Sequence, residues 1–547
     1  MSSGAPAIPE HPPKQPSGWA PLRHRLFRDR WIASIISNVG SWMQDTAGTW
    51  LMTALTSSPL LIALMQTAAS LPVLMLGFPA GATADIIDRR RLLIFWQTWM
   101  LATAALLTVL TLAGAVTPWT LLVLTFLLNI GAAMNNPAWQ AIVPELVPRS
   151  ELPDAISINS AGFNVARAVG PALGGLTVAA FASTTRGASF VFFLNSLSFV
   201  AVIWVLYSWH RTPPFKSALP AERLAGSMRA GFRYIRYSPR LRSILLRAIL
   251  FTFCASAVWA LLAVVARLDL HQGAMGYGIL TGCLGTGAVI GAALLPRFRR
   301  RFSSDFIVAG TTLVFTGTLL VLAFSRLVPL IVFSLVAAGF AWTSTTSTFN
   351  ISVQLSVPTW VQARALGGYQ TIFMGGMALG SALWGAVAQR FSTSTALIAA
   401  AAGMFGTLVI ARRFHLLRGT PPDMNPSSLN RNPPQVAIEP HPDDGPVMVT
   451  IEYRIAETDR DEFTHAIHQM RGVRLRDGAI RWGIYRDQRD PERFVETFVV
   501  ESWLEFLRAR ERLTAGDRLK RDRVRSFHRG DADPVVSYMV YARESEK

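Results

Sequence analysis

Gly81-Ala82-Thr83-Ala84-Asp85-Ile86-Ile87-Asp88-Arg89-Arg90-Arg91 is a short polar knot between two long apolar runs, 60–79 and 92–113. Each run is about 20 residues, enough helix to cross a hydrocarbon core of about 30 Å. Two carboxylates and three arginines packed between such runs cannot sit in lipid, where ionised side chains are expensive. The stretch is therefore expected as a tight hairpin loop at a membrane surface. Three adjacent arginines put that surface on the cytoplasmic side.

Composition agrees. Of 547 residues, 51% are hydrophobic and only 16% charged, with a mean hydropathy of +0.33. An ordinary soluble chain is about 25% charged, so the chain reads as an integral membrane protein of several spans. The formal charge of +18 could suggest nucleic acid, but its distribution argues otherwise. Beyond residue 446 there are 20 Lys and Arg against 19 Asp and Glu, and before it 32 against 15. The excess belongs to the membrane part and its loops, as positive-inside topology requires. Cys254 and Cys283 fall in apolar runs and read as small buried hydrophobes. No metal spacing, disulfide framework or nucleotide-binding loop appears, so no metal, cofactor or ATP drive is expected.

Residues 1–22 are rich in Pro, Ser and Gly and are expected as a disordered cytoplasmic tail rather than a signal peptide. Apolar runs follow at 31–55, 60–83, 92–115, 119–143, 155–182, 188–207, 244–268, 276–295, 306–324, 328–350, 366–389 and 396–412. That is about twelve transmembrane helices, expected as two six-helix bundles, 23–209 and 244–416. Basic residues crowd alternate loops: Arg89 to Arg91, Arg149, Arg297 to Arg301 and Arg364 on one side, isolated Arg186, Arg267, Arg326 and Arg390 on the other. Both termini are therefore expected in the cytoplasm of a cell (inner) membrane protein. Residues 210–243 form the linker between bundles, and 225–237 within it is basic and amphipathic, suited to the membrane interface.

The halves look related. Asn136, Gln140, Pro144 and Gly162 recur as Asn350, Gln354, Pro358 and Gly376, each 214 residues on. Internal repeats of this kind build many secondary transporters, with the substrate site at the repeat interface. Residues 417–446 then read as a flexible linker. In the soluble domain, 447–547, period-two strands at 447–453, 479–485, 494–500 and 535–541 alternate with helices containing Phe463 to Met470 and Trp503 to Leu507. The order βαββαβ is that of a ferredoxin-like α+β sandwich.

The Gly81, Asp85, Asp88, Arg89, Arg90 pattern resembles the loop between helices 2 and 3 of the major facilitator superfamily. The resemblance implies an intracellular latch on these residues, with Asp85 facing the start of the eleventh span near Arg364. The second copy, 291–301, keeps its arginines and has lost the acid. Gly162, Gly170, Pro171, Gly174 and Gly175 resemble the fifth-helix antiporter motif of drug–proton exporters, with Ala166 where the family usually has Gly. Physically that run offers a smooth packing face and a proline kink; the resemblance points to export. Residues 447–547 resemble the dimeric α+β barrel of the antibiotic biosynthesis monooxygenase type. Together the parts resemble the transmembrane secretion effectors related to the enterobactin exporter.

Charges deep in spans are functional candidates. Asp45 lies 14 residues into the first span, and Arg167 at similar depth in the fifth. An ion pair between them would lower the cost of each. It would serve either as a fixed strut or as a proton-operated switch coupling transport. Cavity candidates are Asn38, Gln44, Asn136, Gln140, Asn164, Asn350, Gln354 and Gln370, with Asn129 and Asn135 as further polar groups. Aromatic residues in the spans suit a large amphipathic substrate, although a lipid-facing belt explains most of them. His465, His468, Trp482 and His528 fix no catalytic motif, so the soluble domain is expected to dimerise or regulate. The expected function is a proton-coupled exporter of a siderophore, drug or secondary metabolite, with substrate, protons, lipid and a homodimer as partners, and neither an enzyme nor a nucleic-acid binder. The alternative is a membrane-anchored enzyme or ligand sensor working through the C-terminal domain.

Overall fold

The computed structural model describes residues 19–208, 224–416, 424, 436–438, 440–530 and 532–542. Among these, twelve long helices dominate: α1 (Arg25–Leu55), α2 (Pro59–Ile86), α3 (Arg89–Leu112), α4 (Pro118–Ala141), α6 (Leu152–Ala179), α7 (Thr184–Ser208), α9 (Pro239–Val264), α10 (Ala274–Arg299), α11 (Ser304–Phe324), α12 (Val328–Leu355), α13 (Thr359–Arg390) and α14 (Thr393–Arg413). A single turn, α5 (Val143–Leu146), and a basic helix, α8 (Leu224–Tyr237), lie between them in the chain. Ten of the twelve are long and apolar enough to cross a membrane. α1 and α6 are not among the ten, and they are the helices that carry Asp45 and Arg167.

The expected hairpin loop at 81–91 is shorter than its polarity suggests. α2 runs to Ile86 and α3 begins at Arg89, so only residues 87 and 88 connect them. Asp88 is the reason α3 starts so early: its carboxylate accepts from the Arg91 backbone N–H at 3.0 Å as an N-cap. Nothing in 81–86 breaks a helix, so α2 continues through its polar end. Ala20–Arg23 is a 3-10 turn within the stretch expected as a disordered tail. Residues 1–18 of that tail, 210–223 of the linker between bundles and most of 417–446 lie outside the described residues.

The chain divides into two compact units, Met1–Ser57 with Pro79–Pro214 and Ala266–Val289, and Ser58–Phe78 with Phe215–Val265 and Ile290–Lys547. In the first, α1 packs on α6 and α7, and α3 on α4 and α7. Glycine sets the spacing there. A Cβ at Gly170 would stand 2.5 Å from the Trp42 Cβ, one at Gly174 2.9 Å from the Met43 Cα, and one at Gly175 2.8 Å from the Gly278 Cα. α6 thus has one small-residue face for α1 and another for α10. In the second unit, α9 packs on α13 and α14, and α11 on α12 and α14. The first half of α2 lies against α13: Thr67 Oγ1 donates to the Ala378 carbonyl at 3.0 Å, and a Cβ at Gly385 would come 2.5 Å from that of Ala63.

The repeat read from sequence is also a repeat of structure. α1 spans Arg25–Leu55, and α9 with its terminal π turn (Val265–Asp269) runs from Pro239 to Asp269, offset by 214 at both ends. Gly162 faces Ile35 and Gly376 faces Ile249, again the same offset. Asn136 accepts from Gln140 at 3.2 Å, and Asn350 from Gln354 at 2.6 Å, the same bond one helical turn apart in each copy.

Beyond residue 446, β1 (Val447–Arg454), β2 (Ala479–Arg486), β3 (Arg493–Val500) and β4 (Val535–Val540) form one antiparallel sheet of order β2-β3-β1-β4. Helices α15 (Arg460–Asp477), α16 (Trp503–Glu511) and α17 (Ala515–Arg525) accompany it. The second crossover holds two helices instead of one, because Thr514 and Asp517 form a reciprocal capping box that starts α17 afresh. One apolar cluster joins Phe463, Ile467 and Met470 to Tyr453 and Phe494, and another joins Trp503 and Phe506 to Val447, Val449 and Phe498.

Gly174→Val should abolish the α1–α6 approach, because the new side chain meets main-chain atoms that cannot move aside. Gly310→Val, where a Cβ meets nothing within 4 Å, should be tolerated. Yields of monodisperse protein in detergent check both. Equal yields would show that glycine does not set this contact.

Candidate functional site

α1 is held on two sides at one level. Gln44, nearly inaccessible, accepts from Asn195 Nδ2 of α7 at 2.6 Å, and Asn195 is itself fully buried beside Ser198. Opposite, Gly170 and Gly174 of α6 lie against Val39, Trp42 and Met43. What remains of α1 is a polar stripe at helical spacing: Ser34, Asn38, Ser41, Asp45 and Thr49. Asn38 donates to Ser34 Oγ at 3.3 Å within it. Asp45 is exposed although it lies at the middle of a 31-residue helix.

Asp45 and Arg167 are not joined. Among the described residues no ion pair links them; the Arg167 guanidinium instead lies 5.9 Å from the Trp42 ring. Trp42 also meets Phe163 edge-on at 6.3 Å. Towards the end of α1, Trp50 stacks on Tyr277 at 5.7 Å, and Arg267 lies over Trp50 while donating to Thr53 Oγ1 at 2.9 Å. Asp45 thus lies on an open, polar stripe of α1, while Arg167 is held on an aromatic ring of the same helix.

The remaining candidates separate. Gln44 is a strut between α1 and α7. Asn164 bonds back to the Ser160 carbonyl at 2.9 Å and Asn129 to the Thr125 carbonyl at 2.9 Å, both within their own helices. Asn135 accepts from Gln97 at 3.4 Å. Gln354 also accepts from Gln362 at 3.4 Å, and Gln370 is exposed on α13. In the candidate latch, Asp88 caps α3, and Arg90 donates to the Leu206 and Tyr207 carbonyls at 2.9 and 2.7 Å, closing the end of α7. A Cβ at Gly81 would meet nothing within 4 Å, and the Asp85 side chain lies outside the described residues.

Two charged groups escaped the sequence reading. Arg30, buried, donates to the Trp139 carbonyl at 2.8 Å and lies 4.3 Å over its ring. Arg247 of α9 is ion-paired with Asp305 of α11 and donates to the Phe414 carbonyl at 3.2 Å. Arg30 was hidden at the end of a row with Arg23, Arg25 and Arg28, which in sequence suggests only an anchor for the start of the first span. Counting from Arg25 as the helix start would have placed it more than one turn inside.

In the C-terminal domain, Glu496 is fully buried and takes Arg474 through both oxygens (3.0 and 3.2 Å), Trp482 Nε1 (2.9 Å) and the Tyr453 hydroxyl (3.2 Å). Burial, reinforced by Glu496, pushes the Tyr453 hydroxyl up. Burial would raise Glu505, but Arg512 and Arg233 overcome it and hold that carboxyl below its ordinary range. His468 sits edge-on to Trp482, His528 accepts from the Arg454 N–H at 2.9 Å, and His465 is exposed. Of the four residues weighed as a catalytic set, His468 touches Trp482 and His528 stands against Tyr453 while His465 is exposed, and the buried carboxylate among them, Glu496, is saturated with donors.

A sequence-family model described as transmembrane secretion effector matches residues 16–546. The multidrug efflux pump Tap of Mycolicibacterium fortuitum is 26% identical over 348 residues, covering 61% of this chain and 82% of its own. The enterobactin exporter EntS of Escherichia coli (strain SMS-3-5 / SECEC) is 27% identical over 424 residues, covering 74% and 96%. Among solved structures, a bacterial homologue of the human lysosomal transporter Spinster, inward-facing and unoccupied, superposes with a TM-score of 0.56 at 14% identity, over 72% of this chain and 96% of that one.

Asn195→Ala leaves the Gln44 oxygen buried without its donor, which should cost about 1–3 kcal/mol. The expected result is a lower melting temperature in detergent, with most of the loss regained when Gln44→Leu is added. A single variant as stable as the parent would mean the bond contributes nothing.

Proposed function

This chain belongs to the transmembrane secretion effector family, and from that premise we propose that it is a secondary active transporter. It exports a small amphipathic molecule by alternating access, drawing on the proton gradient. The observation that carries the reading is Asp45, exposed and without an ion-pair partner among the described residues, on the polar stripe of α1, halfway along a helix whose other sides are packed. The names of its relatives, a multidrug pump and a siderophore exporter, support a lipophilic or siderophore-like cargo. Proton binding to Asp45 changes the charge facing Arg167, and that change biases the two halves between inward and outward states.

The orientation follows from arginine. The ends of the chain rich in Arg lie in the cytoplasm, so both termini, the Arg89 to Arg91 turn and the C-terminal domain are cytoplasmic. The sheet order β2-β3-β1-β4, with all neighbours antiparallel, supports a ferredoxin-like domain of the monooxygenase-related type. Its outer strand face carries exposed Met448, Met539 and Tyr541, suited to pairing with a second copy. The donor-saturated Glu496 favours a regulatory or dimerising role over catalysis. Asp85 with Arg89 remains our candidate for the intracellular latch.

Cysteines placed at Ser57 and Ser502 test orientation. An impermeant thiol reagent on intact cells should label Ser57→Cys alone, and external labelling of Ser502→Cys would reverse the topology. Proteoliposomes with an imposed pH gradient, challenged with ethidium and with siderophores, test the mechanism. Asp45→Asn should abolish gradient-driven movement while substrate binding persists, since Asn keeps the size but cannot cycle charge. Arg167→Gln should weaken coupling and leave folding nearly unchanged, because no ion pair is broken. Gradient-driven transport by Asp45→Asn at the parental rate would remove Asp45 from the coupling role.

A further inference from the structure

The C-terminal domain is joined to the membrane part by a specific stack. Arg476 of α15 lies 5.3 Å from the ring of Tyr234 on α8. Tyr234 meets Trp360, in the first turn of α13, edge-on at 5.8 Å. Arg512, just after α16, closes the other side 4.6 Å from the Trp360 ring. Two aromatic rings from the linker helix and the eleventh span are thus held between two guanidinium groups of the soluble domain, an arrangement favoured when the cations are shielded from water. Tyr234 is 1% exposed. Among the described residues the Trp360 indole N–H has no hydrogen-bond partner, so ring contacts and packing hold that side chain.

Ion pairs lock the stack. Glu505 of α16 takes Arg233 of α8 at 2.7 Å and Arg512 at 2.6 Å. Arg233 also donates to the Arg476 carbonyl at 3.3 Å, and Arg512 to the Asp477 carbonyl at 2.9 Å. Arg476 is itself fixed by Asp477 and Asp517 at 2.7 and 2.6 Å. Close by, a Cβ at Gly231 of α8 would stand 3.1 Å from the Cβ of Arg364, one turn further into α13.

This joint differs in kind from the interior of the domain. Both apolar clusters of the domain are built wholly from residues between 447 and 540, with none from α8 or α13. The domain's core is therefore complete without the spans, and what attaches it is ionic and aromatic. Such a contact can open without unfolding either side. It also touches α13, whose further length lies against α2 through Thr67, Ala63 and Gly385.

We propose that the C-terminal domain is a reversibly docked brake that holds the N-terminal end of α13 through α8 and the Arg476–Tyr234–Trp360–Arg512 stack. Docked, it ties the start of α13 to α8 and so to α9, which α8 leads into. Released, it frees that end of α13 to tilt. The braking effect, though not the docking, rests on the transporter reading.

Hydrogen exchange on the full-length protein in lipid nanodiscs tests the docking. In Arg512→Ala, amide exchange over 359–366 and 231–237 should accelerate severalfold while the strands of the domain stay protected. Trp360→Ala alters no residue of the domain and should accelerate exchange at 231–237 and 505–512 alike. Unchanged exchange at these segments in Trp360→Ala would overturn the docking, even if Arg512→Ala disturbs the domain itself. Ethidium efflux in proteoliposomes under a pH gradient tests the brake. Both variants should raise Vmax severalfold at unchanged KM. A Vmax that is unchanged or lowered while exchange shows release would overturn the brake. A wild type that moves no ethidium would tell against this cation as cargo, and the exchange arm would still decide whether the domain docks.

Discussion

Helix ends in a membrane protein leave carbonyls without partners, and lipid supplies none. Three arginines close such ends here. Arg30 near the start of α1 reaches the Trp139 carbonyl at the end of α4, Arg90 at the start of α3 reaches Leu206 and Tyr207 at the end of α7, and Arg247 in α9 reaches Phe414, the C-cap of α14. Each arginine lies in the first half of one helix and caps the far end of another. A guanidinium suits the task, since it is always charged, donates in several directions and meets the negative end of the helix dipole. The basic excess that reads in sequence as a topology signal is therefore also a set of structural caps. Arg247 extends the principle. Its partner Asp305, half-buried, accepts in turn from the Leu416 N–H at 3.2 Å, so one ion pair fixes α9, α11 and the chain beyond α14.

With the ends closed, the interior can carry a less apolar helix. α1 is short of the hydrophobicity expected of a span, and what compensates is contact. Glycines of α6 let its backbone approach on one side, while the Gln44–Asn195 bond holds α7 on the other. A lipid-facing helix could not bear the stripe from Ser34 to Thr49; a helix gripped by two neighbours can turn it inward. Pro171, which costs α6 one backbone hydrogen bond, does not end it. It lies in an unbroken α6, with its carbonyl 2.7 Å from where a Cβ of Gly278 would be, so the space around it is set by the opposing helix.

The twelve helices, the repeat and the strand positions were legible because each depends on local periodicity. Helix ends were less so. The 81–91 stretch read as a loop because its charge is obvious, whereas the capping geometry of Asp88 that starts α3 within it depends on backbone dihedrals. Long-range pairing was the least legible. Asp45 and Arg167 share a depth, and depth suggested a pair, but rotation about each helix axis decides which side chains meet, and Trp42 occupies the place facing Arg167. Arg247 lies two turns into α9 and Asp305 in the first turn of α11, 58 positions apart, where nothing in the pattern marks them as partners. The joint of the C-terminal domain was invisible for the same reason. Its members come from four elements, and each looks locally like an ordinary surface arginine or aromatic.

The repeat supplies an internal comparison that isolates the polar stripe. Shifted by 214 residues, Ser34, Asn38, Ser41, Asp45 and Thr49 become Ala248, Thr252, Ala255, Trp259 and Ala263. The shift is anchored at both helix ends and at the Ile35 and Ile249 contacts, so the comparison is of equivalent positions. Where the first copy has Asp45, the second has Trp259, packed 4.2 Å from Trp342 and stacked on Phe315 at 6.0 Å. Arg167 likewise becomes the buried Ser381. If the charged stripe were needed for packing a span of this geometry, the second copy would need it too. The second copy builds the same helix, with the same length and the same glycine contact, from three alanines, a threonine and a tryptophan, with no charge. The fold therefore does not require Asp45, and a carboxylate at mid-helix with no ion-pair partner among the described residues fits the proton-binding role we propose for it.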